Sequence, residues 1–449
     1  MKKVLAWVKA HLLVVISCVV IVVSIPAGLV GSSILKKGIY SKREKEASEA
    51  LRAVENTTVT YSVPALTPGG RPIEMRGVPT SEKTKWFAER RERVEREAKE
   101  AYGAVVAFNQ RRHKAMVDGL FPSAGSRANE VLKCLELGEL LFGRGASEGY
   151  YAKLLRDMRA GGPMDPARVS TALDDLRQRE LEQMQVASEQ SLPPEKLTQL
   201  RKALSDRRIA MYRQRAQELG VYASMDVLPI STDDYAMIRP KIIGSEQPTI
   251  VQAFEWQWTA WMVTDLFDAI REANTSTSGE PLDVERAPVK RILRVALMPM
   301  GSGGAARSEG DEEGGGDDSG GSAGGGKGVS ITGRVPGRNN GSYDVRIVPE
   351  LSLIVDSAEI PRVLEAFERT NFIAVIGMQV TEVDPWADLR EGYYYGSAHV
   401  VRLDLRLETV WLRSWTAKLM PAQVRRMLGV PDPRPESGGD QDASDGGGD

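Results

Sequence analysis

The feature that most constrains the fold is an alternation of side chains between Val401 and Trp411. Every second position there is apolar or threonine, namely Val401, Leu403, Leu405, Leu407, Thr409 and Trp411. The positions between them are charged, namely Arg402, Asp404, Arg406 and Glu408. Because successive side chains of a strand point to opposite faces, this pattern predicts a β-strand in a sheet with one buried face and one wet face. The opposite charges on the wet face can pair with neighbouring strands, which indicates a structural sheet.

Length and charge exclude several classes of function. The chain has 449 residues, enough for about two or three domains. Its formal net charge of −2 implies no bulk attraction to nucleic acid. The two cysteines and three histidines are too few and too widely separated for a disulfide framework or a metal cluster. We therefore expect no cofactor, no metal and no nucleic-acid partner.

An uncharged apolar run near the N-terminus indicates where the protein lies in the cell. Residues 12–35 carry no charge and are long enough to cross a bilayer as one helix, after a short arm at 1–11. The alternative is a cleaved signal peptide, whose apolar region is typically about 7–15 residues long. Positive charges flank the run on both sides, so the positive-inside rule is nearly balanced. A short arm before a large globular tail favours a tail outside the cytoplasm, which predicts a single-pass membrane protein with most of the chain on the far side of the membrane.

Residues 36–120 are predicted to contain a juxtamembrane helix, a loop and a coiled-coil helix. The loop spans 57–80 and is rich in proline and glycine, and a long helix covers 81–116. Apolar residues recur along that helix at four-three spacing, at Val94, Ala98, Ala101, Val105 and Phe108. This spacing is typical of a coiled-coil seam, which would close on another helix of the chain or on a partner.

Residues 121–240 are predicted to form a helical region with an antiparallel hairpin. Asp165 and Pro166 are a typical helix start, and Pro193-Pro194 begins a second amphipathic helix that ends at Gly220. Two amphipathic helices joined by a short loop pack against each other. We find no catalytic or metal-binding group in this region.

An internal repeat predicts the architecture of residues 250–420. Helices at 250–274 and 363–371 end in the similar sequences LFDAIREAN and VLEAFERTN, and each asparagine suits a left-handed cap. Each helix precedes two strands, at 289–298 with 344–355 and at 373–383 with 400–412. The fold class expected is α+β, a duplicated helix-strand-strand domain with circularly permuted ferredoxin-like topology. An apolar stripe on the first helix, with Trp256 outside it, should pack on the sheet: Trp258, Trp261, Met262, Leu266 and Ile270.

Two segments rich in glycine and acidic residues are predicted to be disordered. The first, at 301–328, forms the hairpin loop between the two strands of the first unit, and the second is the tail at 431–449. Neither contains enough apolar surface to fold by itself.

The hairpin loop of the second unit, at 384–397, contains four aromatic residues: Trp386, Tyr393, Tyr394 and Tyr395. Such a cluster could stack on a sugar or a peptide, whereas the simpler interpretation is a loop folded onto its own sheet.

One apolar span, a coiled-coil segment and a duplicated helix-strand-strand domain together resemble the PilO/PilN group. Those are inner-membrane assembly proteins of type IV pili, with relatives in type II secretion. The stretches at 351–385 and 398–415 carry the resemblance most clearly. The chain departs from the group in its helical region at 121–225 and its acidic insert. The resemblance implies a non-enzymatic scaffold that forms homo- or heterodimers with a protein of similar layout and aligns pilus or secretion platform proteins across the periplasm.

Three functions are therefore compared. The first is that scaffold, and the second is a membrane-anchored ligand-binding or sensor module that uses the aromatic loop. The third, an enzyme, is disfavoured because the many carboxylates fall on helix surfaces beside basic residues, as solvated charges do.

Overall fold

The computed structural model describes residues 12–56, 58–65, 71–144, 147–229, 247–300 and 342–432. The predicted arm at 1–11, the predicted insert at 301–328 and the tail beyond 432 lie outside the described residues. The chain divides into two compact units, residues 1–104 and residues 105–449, which are considered separately.

The first unit contains a long apolar helix, a two-stranded hairpin and most of a charged helix. These elements are α1 (Leu12–Asn56), β1 (Val59–Val63), β2 (Ile73–Gly77) and α2 (Ser81–Gln110), whose last turns belong to the second unit. Helix α1 is long and apolar enough over Ile16–Ala53 to cross a membrane, a property that signal sequences share. The predicted loop at 57–80 was only partly right, because its two ends pair as the antiparallel strands β1 and β2.

The hairpin of the first unit covers one face of α2. Val63 of β1 is buried with Phe87 and Val94 of α2. Tyr61 stacks on Phe87 with ring centroids 4.9 Å apart, and its hydroxyl is 2.7 Å from the Thr84 hydroxyl. Val94, which the heptad spacing assigns to a seam, therefore packs inside its own chain at 6 % exposure.

The second unit begins with helices and very short strands. They are α3 (Arg127–Phe142), β3 (Gly143–Arg144), β4 (Ser147–Glu148), α4 (Tyr150–Asp157), β5 (Ala160–Gly161), α5 (Pro166–Gln183), α6 (Pro194–Glu218) and β6 (Val221–Tyr222). Asp165 caps α5 by accepting the backbone N–H of Ala167, and Pro166 occupies the first turn, as the sequence predicts.

The remainder of the second unit contains the long strands and the helices that cover them. They are α7 (Ile250–Ala273), β7 (Val289–Ala296), β8 (Tyr343–Asp356), α8 (Ile360–Arg369), β9 (Ile373–Glu382), α9 (Pro385–Arg390), β10 (Val400–Leu412), α10 (Arg413–Leu419) and α11 (Ala422–Leu428). The expected mixture of helix and sheet is confirmed. Part of the aromatic loop forms the short helix α9, which its proline and acidic cap favour.

The central sheet has six strands in the order β5-β6-β7-β8-β10-β9. Antiparallel pairing joins β7 to β8, β8 to β10 and β10 to β9, whereas the two short strands β5 and β6 add to the β7 edge in parallel. The region at 121–240 is therefore not purely helical, since two of its segments extend the sheet. On β10, Leu403, Leu405 and Leu407 are buried, but Glu408 is also buried and is an exception to the predicted wet face.

Helix α7 is buried on all sides rather than along one stripe. Trp256, which falls outside the predicted stripe, is 8 % exposed, and Trp258 is fully buried. The helix begins with a capping box in which the Thr249 hydroxyl accepts the Gln252 N–H and the Gln252 side chain accepts the Thr249 N–H. A helix buried all round is the core element on which the other layers pack.

The two asparagines that end the repeated helices differ in conformation. Asn371 has φ +57 and is left-handed, whereas Asn274 has φ −86 and is not. The expectation for Asn274 was wrong because its side chain serves two neighbouring elements instead. Its amide donates to the carbonyls of Gly220 and Val289 and accepts the Val289 N–H, which ties the end of α7 to β6 and β7.

Candidate functional site

The aromatic loop combines one exposed ring with three that are partly or fully enclosed. Asp384 caps α9 by accepting the backbone N–H of Trp386 at 2.9 Å, which sets the start of the loop. The Trp386 side chain is 68 % exposed, and Tyr395 is only 4 % exposed. Tyr393 and Tyr394 are half-buried. The four predicted residues thus come together, but they do not form one open aromatic surface.

Arg291 of β7 fixes the loop to the sheet. Its guanidinium carbon lies 3.6 Å from the centroid of the Tyr393 ring, a cation–π geometry. Its Nη1 is 3.4 Å from the Asp388 carboxylate, whose other oxygen accepts the Tyr395 hydroxyl at 2.9 Å. Burial, with the nearby Asp388 charge, raises the pKa of Tyr395 far above its usual value, so its hydroxyl stays protonated and donates.

Tyr222 of β6 supports the loop from the other side. Its ring meets Tyr393 edge-to-face with centroids 5.1 Å apart, and its hydroxyl accepts the Tyr394 N–H at 3.3 Å. Burial raises the pKa of Tyr222 to about 12. Tyr393 and Tyr395 are therefore largely occupied in holding the loop, as the simpler interpretation of the cluster expects.

A cavity of about 270 Å³ remains beside the exposed Trp386 ring. Its wall includes Ile209 of α6, Leu389, Tyr394 and Ser397. None of the described residues lining it is an acid, a lysine, an arginine or a histidine. Such a wall can stack on or enclose an uncharged ligand, and the polar groups it offers are hydroxyls, the Trp386 indole N–H and the backbone.

The predicted coiled-coil seam is distributed over both units. In the first unit Val94 is buried, while Ala98 and Ala101 are exposed. In the second unit Val105 is 41 % exposed and Phe108 is 43 % exposed. The Phe108 ring also touches Phe372, with centroids 5.2 Å apart. That these residues mediate association stays a prediction.

Asn109, one residue after Phe108, anchors the end of α2 to the sheet and was missed by sequence reasoning. Its side-chain nitrogen donates to the Asn371 side chain and to the Val410 carbonyl, each at 2.8 Å. Its side-chain oxygen accepts the Leu412 N–H at 2.8 Å and the Trp415 indole N–H at 2.9 Å. A fully buried amide that uses both donors and both acceptor positions is held in one orientation.

The same network continues to a buried histidine. Asn371 donates to Asp265 at 2.7 Å, and Nε2 of His113 lies 3.0 and 3.1 Å from the two oxygens of Asp265. The His113 ring lies among three indoles, those of Trp261, Trp411 and Trp415, at centroid distances of 5.5 to 6.2 Å. The hydrogen-bonded pairs of side chains among Asn109, Asn371, Asp265 and His113 are between 106 and 262 positions apart in sequence, so no local motif indicates them.

Three arginines surround the acidic end of this network. Arg112 donates to both oxygens of Asp268 at 2.8 Å, and Arg271 donates to one of them at 2.8 Å. Arg111, which has φ +45, lies 3.6 Å from Asp265 and 3.7 Å from Asp268. The two buried carboxylates on α7 are thus compensated by Arg111 and Arg112 from the segment that follows α2 and by Arg271 of α7 itself.

A histidine paired with a carboxylate is also the arrangement that orients an imidazole for proton transfer. Here His113 is 3 % exposed, its Nε2 is bonded to Asp265, and the described residues include no serine, threonine or cysteine side chain bonded to it. Nor do the described residues include a group of His, Cys, Asp and Glu that could hold a metal ion. His113, Asp265, Asn371 and Asn109 together form one buried hydrogen-bonded junction between the end of α2, α7 and the sheet.

Comparison with known proteins identifies no family. No protein-family model matches the sequence, and no curated protein matches it. A crystal structure from Akkermansia muciniphila aligns with 64 % of this chain and 96 % of its own chain, at 10 % identity and a TM-score of 0.21. An alignment at that TM-score supports no conclusion about fold or function.

Proposed function

We propose that this chain is a non-enzymatic scaffold anchored in the bacterial inner membrane, with most of its length in the periplasm. In this proposal it dimerises, with itself or with a protein of similar layout, and aligns components of a type IV pilus or type II secretion-like machine. The observation that carries the proposal is the junction at Asn109. That junction holds the last turns of α2 rigidly on the sheet while Val105 and Phe108 remain exposed.

An exposed apolar helix face that is held in a fixed orientation favours protein association. Ordering a mobile surface on binding costs affinity, and a rigid one avoids that cost. The apolar helix α1 supports the anchor, because an uncleaved helix of this length would tether the chain to a bilayer.

The topology of the second unit supports a ferredoxin-like duplication as part of this proposal. Each of α7 and α8 precedes two long strands, and the four strands lie in the order β7-β8-β10-β9. Buried residues of both helices share one core with Leu403 and Leu405 of β10. This order is the one expected for two helix-strand-strand repeats with circularly permuted ferredoxin-like connections.

The proposal is tested by recovering the full-length chain from detergent-solubilised membranes of its native cells and identifying its partners by mass spectrometry. We expect a secretion or pilus platform protein, or a protein of similar layout. A matched variant that lacks residues 12–35 should be lost from the membrane fraction. Recovery of the full-length chain from the soluble fraction, or from membranes with no other protein, would contradict the proposed role in aligning partners.

A second candidate function is the binding of an uncharged ligand at the aromatic loop, which the exposed Trp386 ring favours. Cell-wall fragments with neutral sugars should then change tryptophan fluorescence of the full chain. The change should vanish in Trp386→Ala and persist in Trp86→Ala, which removes another exposed indole. Unchanged fluorescence across the panel would contradict ligand binding at the aromatic loop and leave the scaffold as the one proposed function.

A further inference from the structure

The outer edge of β9 is open in the part of the chain that the structure describes. β9 pairs with β10 along one edge, and no described strand pairs with the other. An open edge presents unpaired backbone N–H and C=O groups to any strand that can approach.

The apolar face of the sheet extends onto β9, where the helices no longer cover it. Val380 lies opposite Leu403 and Met378 lies opposite Leu405. Directly opposed residues share a face, so both belong to the side on which Leu403 and Leu405 are buried. Nevertheless Met378 is 52 % exposed and Val380 is 45 % exposed. Two apolar side chains therefore stand uncovered beside an open edge.

The usual protections against edge pairing are missing from residues 377–381. Soluble proteins generally guard an exposed edge with lysine, proline, inward charges or a bulge. The one irregularity of β9 falls before Gly377, where its pairing with β10 shifts register between Arg406 and Leu407. From Gly377 to Glu382 the register is regular, and the sequence GMQVT contains no charged residue and no proline.

We propose that β9 pairs antiparallel with β9 of a second copy of this chain, around a twofold axis at Gln379. This inference rests on the proposed function, for which it supplies the dimer surface. In this register Met378 lies opposite Val380 of the second copy, and Val380 lies opposite its Met378. An axis at Met378 would instead place Val380 opposite Ile376 at the register shift, which would disrupt the pairing.

Charge favours a second copy as the occupant. A twofold axis brings each residue near it close to its own copy in the other chain, so a charge close to the axis would lie near a charge of the same sign. The nearest charge on the strand is Glu382, and the two copies of Glu382 would be six residue spacings apart. That separation is about 20 Å, roughly twice the screening length at physiological salt.

Disulfide trapping tests the register directly. In full-length protein in detergent, with Cys18 and Cys134 replaced by serine, Gln379→Cys should form a cross-linked dimer on mild oxidation. Paired Cβ atoms at the axis lie about 5 Å apart, close to what a disulfide needs. The matched variant Thr381→Cys is on the same face but four residue spacings, about 13 Å, from its own counterpart. The Thr381→Cys variant should therefore run as a monomer on non-reducing denaturing gels.

Each other outcome of the trapping experiment overturns the proposal. Cross-linking of Thr381→Cys alone would place the axis elsewhere, cross-linking of both variants would show a contact without a defined register, and cross-linking of neither would exclude an axis at Gln379. Circular dichroism checks that both variants fold. Gln379 is exposed, so its replacement should not disturb the sheet.

A second variant separates this surface from the wider proposal. Val380→Lys should raise the dimer dissociation constant about tenfold or more, because a lysine replaces an apolar cross-strand contact twice per dimer. Met225→Lys changes another exposed apolar residue of the same unit and should leave the constant unchanged. A dimer that survives Val380→Lys but dissociates on changes to Val105 and Phe108 would overturn the β9 surface alone. A wild-type chain that is monomeric at all concentrations would overturn dimerisation itself.

Discussion

The side chain of Asn109 donates a 2.8 Å hydrogen bond to the side chain of Asn371, which follows it by 262 positions in the chain. The first residue lies in the last turn of helix α2, and the second is the left-handed residue between α8 and β9. One buried amide pair therefore joins the helix that enters the second unit to the far half of its sheet.

Replacing Asn109 by alanine should destabilise the second unit strongly. The change leaves the Trp415 indole N–H and the Leu412 N–H without their acceptor and Asn371 without its donor. Each unpaired buried group costs about 1–3 kcal/mol, so a loss of about 3 kcal/mol in the free energy of unfolding is expected. Urea unfolding followed by tryptophan fluorescence measures it. The control Gln178→Ala, on an exposed helix face, should keep a free energy of unfolding within about 0.5 kcal/mol of wild type. An equally small effect of Asn109→Ala would contradict the anchoring role.

Alkaline stability should depend on Tyr222. Burial raises the pKa of its phenol to about 12 from its usual value of 10.0. Because the folded-state pKa is the higher one, the stabilisation is complete below pH 10 and is lost as pH rises toward 12. Between those values wild type should lose about 1.4 kcal/mol of unfolding free energy per pH unit more than Tyr222→Phe does. Urea unfolding at several pH values measures how the free energy of unfolding changes with pH in each protein. The same pH dependence in wild type and in Tyr222→Phe would contradict the raised pKa of Tyr222. Tyr102→Phe, which removes an exposed hydroxyl, serves as the reference.

Gly396 should not tolerate a side chain. It has φ +75, and a Cβ there would lie 2.9 Å from Cγ of Glu285 and 3.1 Å from its carbonyl oxygen. Gly396→Ala should therefore lower stability by about 1–2 kcal/mol and displace the aromatic loop. Gly162→Ala is the matched control, since an added Cβ there meets nothing within 4 Å. Thermal unfolding distinguishes the two variants, and equal melting temperatures would show that the loop adjusts freely.

The helix surface at Val105 and Phe108 should contribute to self-association. The double variant Val105→Asp with Phe108→Asp places two charges on an exposed apolar face and should weaken dimerisation. Sedimentation velocity over a range of low concentrations measures the effect. Ala98→Asp introduces one charge on the first-unit part of the seam and tests whether the contact extends that far. Unchanged association of the double variant would count against the seam.

Local sequence patterns were sufficient to predict the long helices and strands of this fold. The alternation at Val401–Trp411 indicates β10 because burial on one face forces a period of two, and Asp165-Pro166 indicates the start of α5 because both residues suit a helix N-terminus. The strands β5 and β6 have two residues each, too few to show any period, and so the extension of the sheet could not be predicted. The hairpin of β1 and β2 was hidden because prolines and glycines fill the connection between them.

The candidate sites were predictable only where their residues are neighbours in sequence. Trp386 and the three tyrosines were found because they lie within one loop, although Arg291 and Tyr222, which hold that loop, come from distant strands. The group of His113, Asp265 and Asn371 has no local signature, since each residue taken alone is typical of a helix end or helix surface. Only the folded chain brings them within hydrogen-bonding distance.

The anchoring of Asn109 also has a consequence for biosynthesis. Its hydrogen-bonding partners include Val410, Leu412 and Trp415, which are translated about 300 residues after it. A nascent or truncated chain that lacks those residues cannot satisfy this amide, however well its earlier helices form. Synthesis of the segment up to Trp415, rather than emergence of the helix, is thus the earliest moment at which the junction can close, so a product truncated before it would present an open polar junction to quality-control proteases.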